Sequence, residues 1–219
     1  MPAHKPQTAM IHTLALGDSY TIGEAVAAEA RWPEQWARMM QAEGFAINQP
    51  VAIIAKTGWS TDELQQAIAE AGDLGQWDLV TLQIGVNNQY RGRSLENFRI
   101  EFKQLLETCM SLVAQNPARM QVLSIPDWGQ TPFGAQCGRD LSQISAEIEA
   151  FNAACQLLCQ AYGVGFLDIS ELTRRNSRNL AMHADDGLHP SEQMYQLWAC
   201  ALLSQGNFGR LIGKSRERV

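Results

Sequence analysis

The sequence predicts an α/β domain built on a mostly parallel sheet with helices covering both faces. Two observations lead there: five short apolar runs, and helical patterns spaced between them. A third agrees, since there is no internal repeat and no low-complexity linker to divide the chain. Near-continuous apolar runs mark strands buried on both faces, and parallel strands need helical crossovers to join them.

The runs fall at residues 11–16, 51–55, 79–84, 120–125 and 164–167. Between the third and fourth, Phe98, Phe102, Leu105, Cys109 and Leu112 recur at intervals of three and four. Ile144, Ile148, Phe151, Cys155 and Leu158 do the same before the fifth. That is the period of a helix with one face against a core. Ser60 with Glu63, and Asp140 with Gln143, read as helix starts, the first side chain of each satisfying orphan backbone N–H groups. The last helix is expected to begin at Ser191, after Pro190, and to run to about Ser204. Residues 126–138, rich in Gly and Pro, form the longest irregular stretch, either a binding loop or a long connection.

A chain of 219 residues suits one domain, expected over 1–219 with tails at 1–8 and 207–219. Hydrophobic residues make up 46% and charged residues 18%, enough apolar material for a sizeable core and too little charge for a disordered chain. The net charge is −6, and the basic residues are scattered apart from Lys214, Arg216 and Arg218. A nucleic-acid partner needs a basic stripe to neutralise phosphates, so none is expected. No run approaches the roughly 20 apolar residues that span a bilayer. Residues 1–8 lack the apolar core of a signal peptide, which predicts a soluble, cytoplasmic protein. Five cysteines (Cys109, Cys137, Cys155, Cys159 and Cys200) are an odd count, four of them in apolar helical patterns. They read as buried free thiols in a reducing compartment.

In an open parallel sheet ligands bind outside the carboxyl ends of the strands, so the residues after each strand carry the information. After the first come Gly17, Asp18 and Ser19, which put a hydroxyl on a strand-to-helix turn among N–H groups that lack partners. The plainer use of Ser19 is to cap the next helix. After the second comes Gly58, whose bare backbone could donate its N–H to a substrate oxygen, or simply make a turn. After the third comes Asn87, a neutral amide donor for a developing oxyanion, or a turn residue tolerant of left-handed backbone. Near the C-terminus Asp186 and His189 stand three apart, a spacing at which a carboxylate in a tight turn accepts from one imidazole nitrogen and leaves the other free. His183 and Asp185 are nearby substitutes, and Asp186-Gly187 is also ordinary turn chemistry.

Each motif is weak alone. Together they supply a nucleophile, three oxyanion donors (Ser19 N–H, Gly58 N–H and the Asn87 amide) and a base with its orienting carboxylate, the full set for acyl transfer. A zinc site would compete for His183, His189, Asp185 and Asp186, but no His-x-x-x-His pattern or suitable cysteine spacing is present. A phosphate-binding glycine loop, a dinucleotide fingerprint and a Gly-x-Ser-x-Gly elbow are also absent.

The set running from Gly17-Asp18-Ser19-Tyr20 through Gly58 and Gly85-Val86-Asn87 to Asp186-Gly187-Leu188-His189-Pro190 resembles the SGNH hydrolases, also called the GDSL lipase/esterase family. The resemblance implies a flavodoxin-like three-layer α/β/α fold with five parallel strands. It also implies Ser19 as nucleophile, Gly58 and Asn87 in the oxyanion hole, and Asp186 with His189 completing a catalytic triad, with no metal or cofactor. Two residues depart from the family pattern: Tyr20 replaces Leu, and Asn88 replaces an Asp that supports loop structure.

The expected activity is a serine esterase acting on small soluble acyl esters, short-chain carboxylesters or acetylated sugars, because no long apolar lid for insoluble lipid is present. Thioesters and lysophospholipids are the alternatives at the same site, and a non-catalytic ligand-binding domain is the rival from another class. Trp59, Tyr90, Arg91, Trp128 and Phe133 fall on segments after strands and are candidates to line the substrate pocket.

Overall fold

A computed structural model describes residues 10–205 together with Phe208. The chain opens with β1 (Thr13–Gly17), the single turn α1 (Ser19–Ile22) and α2 (Trp32–Ala42). Next come β2 (Ala52–Ala55), α3 (Thr61–Glu70), β3 (Leu79–Gln83), α4 (Val86–Tyr90) and α5 (Leu95–Leu112). The second half holds β4 (Met120–Leu123), α6 (Pro132–Gln136), α7 (Leu141–Tyr162), β5 (Gly165–Leu167), α8 (Ser170–Asn176) and α9 (Glu192–Gln205). The five predicted runs match the five strands to within two residues at each end.

Among the described residues all strands are parallel, in the order β2-β1-β3-β4-β5. This is the doubly wound, flavodoxin-like arrangement, and its order reverses between β1 and β3. Helix α2 packs on α9, while α3, α5 and α7 pack in a row. Right-handed crossovers leaving β1 in one direction and β3 in the other put these two groups on opposite faces. The result is three layers. The central strands β1, β3 and β4 are buried throughout, including the polar Thr13, Thr81, Gln83 and Gln121 among their apolar residues, and the edge strand β2 is half-buried.

The periodic residues face inward as expected. Phe98, Phe102, Leu105 and Cys109 of α5 and Ile144, Ile148, Phe151 and Cys155 of α7 are all buried, with the Phe98 and Phe151 rings 4.5 Å apart. The predicted starts hold too: the Glu63 carboxylate reaches back to the Ser60 N–H at 2.8 Å, and Asp140 accepts from Ser142 N–H at 2.8 Å. Residues 126–138 are more regular than expected. They hold a 3-10 turn, Trp128–Gln130, and then α6, each started by a side-chain cap from Asp127 or Thr131. Caps of this kind let Gly and Pro sit inside short helical turns that composition alone reads as loop.

Of the five free thiols, Cys109, Cys155 and Cys159 are buried, but Cys137 is only half-buried and Cys200 is exposed on α9. Burial pushes the Cys109 and Cys159 thiols up to about 12, which leaves them unreactive. The expected tails at 1–8 and 207–219 lie outside the described residues except for Phe208, whose buried ring sits 5.4 Å from that of Trp36. Among the described residues no helix is long and apolar enough to cross a membrane.

Candidate active site

The structure brings the post-strand residues together. Strand β1 ends at Gly17, and α1 begins at Ser19. The helix cap is Asp18, whose Oδ1 accepts from Tyr20 N–H at 3.0 Å. Ser19 is thereby released from capping. Its Oγ makes no hydrogen bond among the described residues, and its N–H, at the first helical position, has no partner inside the helix.

Gly58 has φ +89°, and a side chain built on it would meet nothing nearer than the Arg91 guanidinium at 4.0 Å. Glycine is needed here for its left-handed backbone and not for want of space. Asn87 lies in the first turn of α4, and its Nδ2 donates to Trp59 O at 2.9 Å, which fixes the amide rotamer. In the C-terminal turn, His189 Nδ1 lies 2.6 Å from Asp186 Oδ2. Asp186 Oδ1 accepts from the backbone N–H groups of Leu188 at 2.8 Å and His189 at 2.9 Å. Burial opposes ionisation of Asp186, but these three bonds outweigh it and hold its carboxyl below the usual range. The carboxylate therefore accepts a hydrogen bond from Nδ1–H, which leaves the lone pair on Nε2. The alternatives drop out geometrically: His183 Nε2 meets Ser177 O at 2.9 Å, and Asp185 is exposed and bonds neither histidine.

Ser19, Gly58, Asn87 and His189 all line one cavity of about 220 Å³. Tyr90, Trp128 and Phe133 form part of its wall, with the Tyr90 and Trp128 rings 5.2 Å apart, edge to face. Trp59 and Arg91, also candidates for the pocket, are not in the wall. The Trp59 ring is half-buried against the hydrophobic core, and only its carbonyl serves the site, through Asn87. The Arg91 guanidinium turns to Gly58 O, at 2.6 Å. Tyr20, Val86 and Leu188, quoted in the motifs but not as pocket residues, and Thr57, which precedes Gly58, also line the cavity. Each adjoins a residue expected in the site, which was the one available signal. Among the described residues no group of three or more His, Cys, Asp or Glu is placed to hold a metal ion.

The two departures acquire reasons. The buried Asn88 accepts from Thr61 N–H at 3.1 Å and donates to Thr61 Oγ1 at 2.6 Å and to Glu101 Oε2 at 3.3 Å. An acid at this position would face the Glu101 carboxylate and lose both donated bonds. Tyr20 is buried with its ring 5.6 Å from the His189 ring and 6.1 Å from Trp198. Beneath both, burial pushes the Asp18 carboxyl up to about 7, outweighing the N–H bonds it accepts.

The fold is a doubly wound parallel α/β domain, and Ser19, Gly58, Asn87 and His189 meet at one cavity in it. The chain belongs to the GDSL-like lipase/acylhydrolase family, whose model matches residues 15–197. No curated protein matches it. Similar solved structures include a lipolytic protein of the G-D-S-L family from Veillonella parvula DSM 2008, at 16% identity and TM-score 0.71, covering 90% of this chain and 98% of that one. A lipase/acylhydrolase from Enterococcus faecalis is 18% identical with TM-score 0.68 over 92% and 97%. A catalytic mutant of an acetylxylan esterase from Geobacillus stearothermophilus is 15% identical with TM-score 0.69 over 90% and 95%.

Two stability predictions follow from the buried polar groups. Asn88→Asp should destabilise the protein by about 1–3 kcal/mol at neutral pH, the cost of an unsatisfied buried polar group, and less in acid, where the new carboxyl is protonated. Urea unfolding that shows no loss at pH 7 would contradict the hydrogen-bond assignment. Asp18 has a folded pKa above the ordinary 3.8. Its contribution to stability is complete below that value and is lost as pH rises through about 7. Asp18→Asn, which keeps a cap acceptor, should therefore gain on the wild type between pH 4.5 and 7.5. A difference in melting temperature that does not change with pH is the adverse result.

Proposed function

We propose that this chain is a serine esterase in which Ser19, His189 and Asp186 form the catalytic triad. The observation that carries the reading is the convergence of Ser19, His189, Gly58 and Asn87 on one cavity, with the His189 ring held by Asp186. His189 Nε2 takes the Ser19 proton as Oγ attacks the ester carbonyl. The oxyanion is met by the N–H groups of Ser19 and Gly58 and by the Asn87 amide, donors of a kind worth about 2.7–4 kcal/mol each where one has been removed from other enzymes. His189 then returns its proton to the leaving alcohol. Water repeats the sequence on the acyl-enzyme, and His189 again serves as base. Ser19 Oγ and His189 Nε2 share the cavity without a hydrogen bond in the free site. Such bonds are often loose until substrate arrives.

The cavity favours a short acyl group. Its volume of about 220 Å³ is below the ~300–1,000 Å³ usual for drug-sized ligands, and Val86, Tyr90, Trp128, Phe133 and Leu188 give it an apolar wall. The structural likeness to an acetylxylan esterase is in keeping with an acetyl group, on a sugar or another small alcohol.

Ser19→Ala should abolish hydrolysis of p-nitrophenyl acetate while leaving the fold intact, and should block covalent labelling by a fluorophosphonate. A clean Ser19→Ala preparation with wild-type turnover ends the reading, and wild-type protein that fails to label favours a binding domain. Across p-nitrophenyl esters, kcat/KM should be highest for acetyl to butyryl and fall for octanoyl and longer chains. A maximum at long chains would show that the cavity does not hold the acyl group.

A further inference from the structure

Resting on the esterase reading, we propose that Arg91 is a positioning residue that holds the Gly58 peptide so that its N–H points into the cavity. Gly58 lies in the turn that the Trp59 N–H closes on Lys56 O at 3.2 Å. It has φ +89° and open space where a side chain would stand, so packing does not fix its orientation. Its N–H has no partner among the described residues. What holds it is polar. Arg91 Nη2 donates to Gly58 O at 2.6 Å, while Nη1 of the same guanidinium donates to Glu63 Oε2 at 3.0 Å and reaches Ser60 Oγ at 3.4 Å. Glu63 in turn caps α3 through the Ser60 N–H. The guanidinium therefore ties the Gly58 carbonyl to the fixed start of a helix, a two-ended grip suited to its planar fork.

The placement of Arg91 makes this tie part of a larger clamp. Arg91 follows Asn87 by four residues, one turn along. Asn87 Nδ2 holds the Trp59 carbonyl at 2.9 Å, so one turn of chain grips two successive carbonyls of the loop after β2. On the other side the Thr57 hydroxyl donates to Glu24, just beyond α1. The proposed oxyanion donors Gly58 and Asn87 are thus fixed relative to each other and to the helix that carries Ser19. Arg91 does not line the cavity, so it acts through Gly58 and not on the substrate.

The test uses the full chain and a short p-nitrophenyl ester, with kcat and KM measured separately. A boronic acid that forms a tetrahedral adduct serves as the transition-state probe. Arg91→Ala should lower kcat roughly ten- to a hundredfold, less than the 10²–10³ lost when an oxyanion donor is removed outright. KM should hold within about twofold, because the interaction matters only in the transition state. Boronate affinity should fall with kcat. The melting temperature should barely move, since partly exposed ion pairs add little stability. Arg91→Lys should recover part of kcat, and added methylguanidinium should partly rescue Arg91→Ala. Arg93→Ala, which removes the neighbouring pairs with Asp62 and Glu101 but no tie to the loop carbonyls, should keep wild-type kcat.

Unchanged kcat in Arg91→Ala overturns the proposal. So does a rise in KM at constant kcat, which would mean a substrate contact, or an equal loss in Arg93→Ala. If Ser19→Ala is inactive while Arg91→Ala is normal, only the role of Arg91 fails. If Ser19→Ala stays active, the esterase reading fails with it.

Discussion

The site depends on three parallel strands ending at the same level. Gly17 pairs with Ala55 on one side and Gln83 on the other, so the chains leaving β1, β2 and β3 emerge side by side. For β1 to turn directly into α1, position 17 must lack a side chain. A Cβ there would lie 2.2 Å from Thr21 Oγ1 and 2.4 Å from Gln83 O. Asp18 then spends its carboxylate on the helix cap and leaves Ser19 with hydroxyl and N–H both uncommitted. Strand residues alternate faces, so a register slip of one would send these groups to the opposite side of the sheet.

The other half of the site is braced from the opposite end of the chain. His189 belongs to a turn fixed by its own N–H to Asp186 at 2.9 Å and by its carbonyl, which accepts from Ala184 N–H at 2.8 Å. Pro190 follows, and α9 begins two residues later. Helix α9 lies along α2, and Gln35 of α2 donates to Glu192 O at 3.0 Å, pinning the start of α9. Since α2 follows β1 and α1, the separation of Ser19 and His189 is set by helix packing and not by loops. That suits the proposed nucleophile and base, a pairing that calls for geometry held to fractions of an ångström.

The legibility of these features in the sequence follows from their physics. Strands buried on both faces are written as continuous apolar runs, and α5 and α7 are long enough to show their period, so all of these were readable. Helices of four or five residues, such as α1, α4 and α6, are shorter than the pattern that would reveal them, and their caps can be read only in three dimensions. Ser19, Gly58 and Asn87 were legible because backbone position after a strand end decides where they lie, and Asp186 with His189 because their spacing of three fits one tight turn. Side-chain direction is a different matter. Trp59 and Arg91 are in the right segments, yet one ring turns to the core and one guanidinium turns to a carbonyl. Nothing in a linear sequence states which of two adjacent residues points into a cleft.

Tyr20 joins the two halves. It follows Ser19 directly, and its ring contacts both His189, at 5.6 Å, and Trp198 of α9, at 6.1 Å. Trp198 is in turn met edge-on by Tyr195 at 5.3 Å. Burial pushes the Tyr20 phenol above its ordinary value, so the side chain remains neutral and acts by packing. A leucine would fill less of the space between α1 and α9 and would offer the imidazole no aromatic partner. The residue that departs from the family's name is therefore the one that carries the position of the proposed nucleophile's helix across to the proposed base.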